Sequence, residues 1–180
     1  MDLKTKKQEA LIYSFLAGLS EEQEPLYREI ILYLSELGYN PRKEGQSISF
    51  KHSQHSKQIA KIGWTRGKMP SPVFKLRFSA CRDYSQKFLE VVKRAAVTTR
   101  DNAHGNVSGG CLNGECHFCA GEPETHLYKH TAPDGTVTYA CGAQALAIPN
   151  ITAEDAAEIK RLLKEEHFYL MKHQAGITLE

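Results

Sequence analysis

The sequence lacks the features that would point directly to a membrane protein or to a common class of enzyme. No apolar run among its 180 residues approaches the ~18 residues that a membrane-spanning helix needs. There is no P-loop, no GxSxG motif and no dinucleotide-binding fingerprint. Helix-turn-helix, RNP and KH patterns are missing too, as are internal repeats. These absences favour a binding or interaction role over catalysis, and no catalytic residue is predicted.

Cysteine is scarce, but four of the five cysteines lie close together in the second half of the chain. Cys111, Cys116 and Cys119 follow a C-x4-C-x2-C spacing, and Cys141 comes after a predicted hairpin. Thiolates brought together by tight turns close a four-coordinate zinc site. A segment this poor in large apolar residues would then take its folding energy from the metal. The sequence predicts a structural Zn2+ held by these four residues, whereas Cys81 is predicted to be a buried thiol.

Two other interpretations of the cysteine segment remain open. The spacing and glycines of Cys111–Gly121 resemble the cluster loop of plant-type [2Fe–2S] ferredoxins, a resemblance that implies iron ligation by the same four cysteines and electron transfer. The cysteines could also be unligated thiols. A neighbouring histidine could replace Cys111 as a zinc ligand, the candidates being His104, His117, His126 and His130.

Two longer stretches resemble small bacterial proteins, themselves uncharacterised, that join an α+β domain to a four-cysteine, zinc-ribbon-like segment. These stretches are KMPSPVFKLRFSA, residues 68–80, and CGAQALAIPNITAEDAAEIKRLLKEEH, residues 141–167. The resemblance implies a fold class but no activity, and it assigns no site residue.

Charge is divided unevenly along the chain. Residues 1–100 carry 18 Lys and Arg against 10 Asp and Glu, whereas residues 101–180 carry 5 against 11. The excess is concentrated in residues 42–100, with 14 basic against 3 acidic side chains. Such an asymmetry indicates an anionic partner for the first half of the chain.

Hydrophobic periodicity predicts an α+β fold. Helical spacing covers residues 4–17, 25–37 and about 83–97, and a final helix follows Thr152. Alternation of period two predicts strands in QSISFKH, KQIAKIGWT and PVFKLRFSA. We therefore predict a three-stranded antiparallel sheet with helices on one face, plus a metal-bound hairpin turning at Pro133-Asp134-Gly135 and a C-terminal helix. The polar stretch before the cysteines suggests two domains, residues 1–103 and 104–180.

Basic side chains recur on the polar phase of the predicted strands. Nucleic-acid contact is predicted for Lys51, Lys61, Arg66, Lys68, Lys75 and Arg77. Phosphates would meet a positive sheet face, and Trp64 lies close to it in sequence. The alternative is an ordinary solvated sheet face, or one that the acidic C-terminal half neutralises.

The N-terminal segment bears on localisation. Lysines precede the apolar stretch ALIYSFLAGL, as they do in a signal peptide. Asp2 and Glu9, together with polar residues inside the stretch, favour an amphipathic helix instead. Clustered cysteines in a chain of this kind agree with the reducing cytoplasm, so a cytoplasmic protein is expected.

Overall fold

The main sheet has five antiparallel strands in the order β1-β2-β3-β4-β7. The computed structural model describes residues 5–77, 80–81, 83–101, 127–131, 134–135, 137–141, 145–148 and 150–174. The strands of this sheet are β1 (Tyr39–Glu44), β2 (Ser47–His52), β3 (Gln58–Trp64), β4 (Pro72–Arg77) and β7 (Ala145–Ile148). A second sheet is the hairpin of β5 (Leu127–Thr131) and β6 (Val137–Cys141).

The α+β class and the hairpin are confirmed. The predicted count of three strands is wrong, because neither edge strand shows the period-two alternation of apolar residues. β1 contains Pro41 followed by three charged or polar positions, a composition that reads as a loop. Proline is tolerated there because an edge strand leaves half of its backbone N–H groups unpaired. β7 has only four residues and pairs with a strand far away in sequence.

Four helices are described: α1 (Lys6–Leu16), α2 (Gln23–Glu36), α3 (Gln86–Asp101) and α4 (Ala153–Gln174). Thr5 caps α1 by accepting the Gln8 backbone N–H at 3.2 Å. At the start of α4, Asp155 Oδ2 accepts the Thr152 N–H at 2.7 Å while Thr152 Oγ1 accepts the Asp155 N–H at 3.4 Å. This reciprocal pair is the capping box that the sequence predicts. No helix in the described part of the chain is long and apolar enough to cross a membrane.

Two glycines that follow helices have different physical reasons to be there. Gly38 follows α2 at φ +85°, where a residue with a side chain would be strained. Its missing side chain also makes room for His52, since an added Cβ would lie 2.9 Å from the ring Nε2. Gly18 follows α1 and is not among the glycines with positive φ. Its Cβ would instead lie 2.8 Å from the indole of Trp64, so Gly18 permits a close contact between helix and sheet.

The core lies on one face of the sheet and joins all four helices. Alternate strand residues point to this face, among them Phe50, Ile62 and Phe74, each at most 1% exposed. The same buried cluster includes Ile12, Ile30, Phe88, Leu146 and Ile159, which come from α1, α2, α3, β7 and α4 respectively. Residues on both sides of the predicted boundary at 103/104 therefore share one sheet and one core.

A β-bulge in β3 interrupts the predicted alternation of core-facing and solvent-facing residues. Phe50 pairs with Ala60 but Lys51 pairs with Gln58, so β3 carries one extra residue, Ile59, at this point. Ile59 is fully buried although simple alternation assigns it to the polar face. At a bulge, two successive side chains can both point into the core, whereas strict alternation would place one of them on the opposite face.

Candidate functional site

A row of basic residues crosses the sheet on the face opposite the core. In the strand register, Arg42 lies beside Ser49, Ser49 beside Lys61, and Lys61 beside Lys75. Neighbouring strands are ~4.8 Å apart, so the row places three cations within about 15 Å. We call this surface the basic face: Arg42, Lys51, Lys61 and Lys75, with Arg66 and Lys68 in the β3–β4 connection.

Most side chains of the basic face are at least partly exposed, whereas Ser49, within its row, is 1% exposed. Arg42 and, at the far edge, Ala147 are exposed, and the lysines of the face are partly exposed. The described helices all contribute buried side chains to the cluster on the opposite face. An antiparallel sheet with one covered and one solvated face commonly carries polar residues on the solvated side. Here those residues are predominantly cationic.

Most cations of the basic face have no carboxylate partner in the described parts of the chain. Lys61 is the exception, because its Nζ lies 2.8 Å from Glu44 Oε1. The hydrogen bond from Lys61 lowers the pKa of Glu44, and the charge of Lys51 acts in the same direction. Among the described residues, no ion pair is formed by Arg42, Lys51, Arg66, Lys68 or Lys75. Within the described part of the chain, the face therefore carries more positive than negative charge.

An open groove of about 1000 Å³ lies on this side of the sheet. Its floor includes Val73, Lys75 and Ala147, and its sides are the tip of the β1–β2 hairpin and the β3–β4 connection. The lining residues are Glu44, Gly45, Gln46, Ser47, Trp64, Thr65, Arg66, Gly67, Val73, Lys75 and Ala147. We call it the sheet groove. It combines two cations, Arg66 and Lys75, and the carboxylate of Glu44 with hydroxyl and amide side chains, and Trp64 is the aromatic residue of its lining.

Trp64 stands at the end of β3, between the core and the sheet groove. Its ring centroid lies 5.6 Å from that of Phe15, and its indole packs against Gly18. The side chain is nonetheless only half-buried and also lines the groove. The ring of Trp64 is therefore held against α1, while the residue also borders the groove.

Arg77 differs from the other predicted contact residues because it lies in the interior. Its side chain is 4% exposed, and its Nε lies 2.8 Å from Oε1 of Glu166, which is fully buried. Oε2 of Glu166 accepts the Ala80 backbone N–H at 2.9 Å. This ion pair fastens α4 to the end of β4, so the guanidinium of Arg77 serves the packing of the helix.

The predicted metal ligands fall mainly outside the described residues. Cys111, Cys116 and Cys119 lie there, as do His104, His117 and His126. Cys141 is the last residue of β6, opposite Leu127 in the hairpin, and His130 is in β5. The described residues contain no group of three or more His, Cys, Asp or Glu arranged to hold a metal ion. Zinc and iron–sulfur ligation therefore stay predictions.

Cys81 behaves as the sequence predicts. It is buried, and its Sγ donates to the Leu162 carbonyl at 3.5 Å. Burial raises the pKa of this thiol, with the nearby carboxylates of Glu166 and Glu165 adding to the effect. A protonated, enclosed thiol is a poor nucleophile, so Cys81 is a packing residue.

Sequence reasoning missed Arg42 and the groove itself. Arg42 belongs to an edge strand that the alternation pattern did not reveal, so its place in the basic row became visible only through the β1–β2 register. The groove depends on Ala147 from β7, which reaches Lys75 across about seventy residues of chain. The excess of Lys and Arg from residue 42 onward was the one signal that included Arg42.

The comparisons with known proteins add no family: no protein-family model, curated protein or solved structure matches this chain.

Proposed function

We propose that this protein binds single-stranded nucleic acid on the basic face of its five-stranded sheet. The observation that carries the proposal is the row of Arg42, Lys61 and Lys75 across an open sheet, most of it without carboxylate partners among the described residues. Phosphate groups are the ligands that such a row would attract, through counterion release and direct charge contact.

The sheet groove favours a single strand over a duplex. A base that is free of pairing can enter a groove and contact an aromatic ring, whereas a base in a duplex is held in its stack. Trp64 is the aromatic residue that borders the groove, and Lys75 and Arg66 supply positive charge within it. Side-chain stacking of this kind is tolerant of sequence, so we expect little base preference.

The test is titration of the full chain with a fluorescent 20-nucleotide single strand and with the matching duplex at several salt concentrations. Five uncompensated cations predict a slope of log K against log salt of about −3.5 for the single strand. The variant Arg66→Glu/Lys75→Glu should weaken binding at least tenfold and reduce the magnitude of the slope by about 1.4. Arg77→Glu is unsuitable, because it would bury two carboxylates side by side.

A matched control is Lys164→Glu/Lys172→Glu, which makes the same change of charge at exposed positions of α4. The proposal requires this control to bind nearly as the parent does, since α4 packs against the other face of the sheet. Equal loss in both variants would indicate attraction by net charge alone. Binding of the single strand that is insensitive to salt would refute the proposal.

We further propose, from the cysteine spacing, that zinc stabilises the segment around the β5–β6 hairpin. Metal analysis with an absorption spectrum separates the alternatives: about one zinc per chain in a colourless sample, or iron with labile sulfide in a brown one. Chelation or Cys116→Ser should increase hydrogen exchange in β5 and β6 while β2 and β3 stay protected. Unchanged exchange in the hairpin would count against a metal-stabilised segment, and absence of both metals would leave free thiols.

A further inference from the structure

Three histidines and a tyrosine gather at the end of the sheet that faces α4. His52 ends β2, His55 lies in the turn after it, His167 comes from α4, and Tyr39 is opposite His52 in β1. The rings of His52 and His55 are stacked, with centroids 4.2 Å apart and planes inclined by 9°. The ring of Tyr39 lies edge-on to all three imidazoles at 5.0–5.9 Å. We call these four residues the histidine cluster.

Backbone hydrogen bonds fix the protonation of the two stacked rings. The Gln54 N–H donates to Nδ1 of His52 at 3.3 Å, and the Lys57 N–H donates to Nδ1 of His55 at 3.1 Å. A ring nitrogen that accepts a hydrogen bond carries no proton, so each neutral ring is protonated at Nε2. The Nε2 atom of His55 is buried and has no hydrogen-bond partner within the described residues.

The β2–β3 turn, residues 53–57, is closed by these same bonds. Ser56 adopts φ +57°, which is uncommon for a residue with a side chain. Its N–H donates to the His52 carbonyl at 3.1 Å, and the Ser53 N–H reaches the Gly38 carbonyl at 3.2 Å. The turn therefore packs both rings against β1 and depends on two imidazole nitrogens as acceptors.

We propose that the histidine cluster is an acid-sensitive latch: protonation of His52 and His55 opens the turn 53–57 and releases it from Tyr39 and α4. The added proton must occupy Nδ1, because Nε2 already carries one. Each protonation thus replaces an acceptor by a donor and breaks the bond from Gln54 or Lys57. Two imidazolium rings stacked at 4.2 Å would also repel each other.

The surroundings of His55 oppose its protonation in the closed turn. Burial lowers the pKa of His55 to about 4, and the positive charges of His52, His167, Lys57 and Arg77 act in the same direction. Burial, followed by the charge of His52, also lowers the pKa of His167. Among the described residues, the carboxylate of Glu166 acts on Tyr39 of the cluster, and it also pairs with Arg77.

The remaining contacts place α4 within reach of the latch. Nδ1 of His167 lies 3.4 Å from the Tyr39 hydroxyl, and its ring lies 5.7 Å from that of His52. Burial is the main factor that raises the pKa of Tyr39, so the hydroxyl stays protonated throughout the range in which histidine titrates. Opening of the turn at residues 53–57 would therefore remove side chains that pack against α4 around His167.

The direction of the effect follows from the lowered pKa. An open turn binds protons near pH 6.5 and the closed turn only near pH 4, so closure is fully favoured above pH 6.5 and weakens as the pH falls from 6.5 towards 4. These two pKa values alone lower the equilibrium constant for closing the turn about thirtyfold between pH 7.5 and 5.0. Because the ring of His55 is partly exposed, solvent screening reduces this to an expected tenfold loss.

The experiment is NMR on the full 15N-labelled chain between pH 7.5 and 4.5. Ring nitrogen shifts should show His52 and His55 protonated at Nε2 at pH 7.5. Hydrogen-exchange protection of the Gln54 and Lys57 amides, corrected for intrinsic rates, should fall about tenfold more than that of β3 between pH 7.5 and 5.0.

The variant His55→Asn separates titration from structure, because asparagine accepts a backbone N–H two residues on but takes up no proton. Its turn should stay more protected at pH 5.0 than the parent turn, whereas His130→Asn in β5 should behave as the parent does. If the turn of His55→Asn opened at the same pH as the parent turn, the latch proposal would be refuted. The same conclusion would follow from rings of the parent protonated at Nδ1 at pH 7.5, a result that does not depend on the folding of any variant.

Discussion

The interior ion pair between Arg77 and Glu166 makes the sharpest prediction about stability. Replacing Glu166 by glutamine keeps the size and most of the shape of the side chain but removes its charge. The Arg77 guanidinium, 4% exposed, then remains in the interior without the charge of Glu166. Removing one partner of a buried pair costs about 3–5 kcal/mol, because the other charge stays desolvated.

The magnitude is large enough to measure without ambiguity. A loss of about 3 kcal/mol in the free energy of unfolding lowers Tm by about 6–12 °C in a chain of this size. It also moves the urea midpoint down by about 1.5 M if m is near 2 kcal/mol/M. The assay is urea unfolding followed by circular dichroism, with constant m as the condition for comparing variants.

A matched control lies one residue away on the same helix. Glu165 pairs with Arg161 at 2.5 Å, but both side chains are more than a third exposed. A surface pair of this kind contributes at most about 1 kcal/mol, so Glu165→Gln should shift the urea midpoint by less than about 0.5 M. Both variants lose one charge, so the difference between their losses in free energy of unfolding measures the effect of burial.

The double variant tests the reasoning itself. Arg77→Met/Glu166→Leu removes both charges and fills the same space with apolar atoms, so it should be much more stable than the sum of the two single changes predicts. Strict additivity, or a cost below about 1 kcal/mol for Glu166→Gln, would mean that water or another charge compensates Arg77. The buried pair would then not be the connection between α4 and β4 that we infer.

The other predictions concern a glycine and a helix cap, and thermal unfolding measures both. Gly38→Ala should lower stability by about 1–3 kcal/mol, because φ is +85° and the Cβ would press on His52; a loss below about 0.5 kcal/mol would show that the ring moves freely. Thr152→Ala should cost about 1 kcal/mol at the start of α4. Burial alone would raise the pKa of Asp155, but hydrogen bonds from Lys87 and Thr152 lower it, so this carboxylate stabilises the fold above about pH 4 and less as the pH falls further. An equal loss in Thr152→Ala at pH 7 and pH 2 would contradict that assignment.

The central part of the fold was predictable because local patterns specify it. Ile48 and Phe50, and likewise Phe74 and Leu76, alternate with residues of the opposite face and so identify two strands. Gly38 marks the end of α2. The edge strands were not predictable, because β1 owes its pairing to β2 rather than to its own composition. β7 is too short to display a period, and only tertiary pairing with β4 defines it.

The candidate site was likewise predictable where a local pattern specifies it and not where distant contacts do. Lys61 and Lys75 were assigned to one face by alternation alone, and the register places them side by side. Arg77 has the same phase as Lys75, yet its partner Glu166 lies 89 positions further along the chain, beyond any local pattern. The histidine cluster likewise joins His52 and His55 to a residue of α4, which sequence spacing does not reveal.

The position of β7 has a consequence for the order in which the molecule folds. Phe74 pairs with Ile148, so the outer edge of β4 has no strand partner until the chain has extended about seventy residues further. Contacts separated by so many residues slow folding, because the intervening loop must close before the pairing stabilises anything. We expect β1 to β4 to pair early as successive hairpins, while β7 and α4 complete the sheet and the core in the last and slowest step.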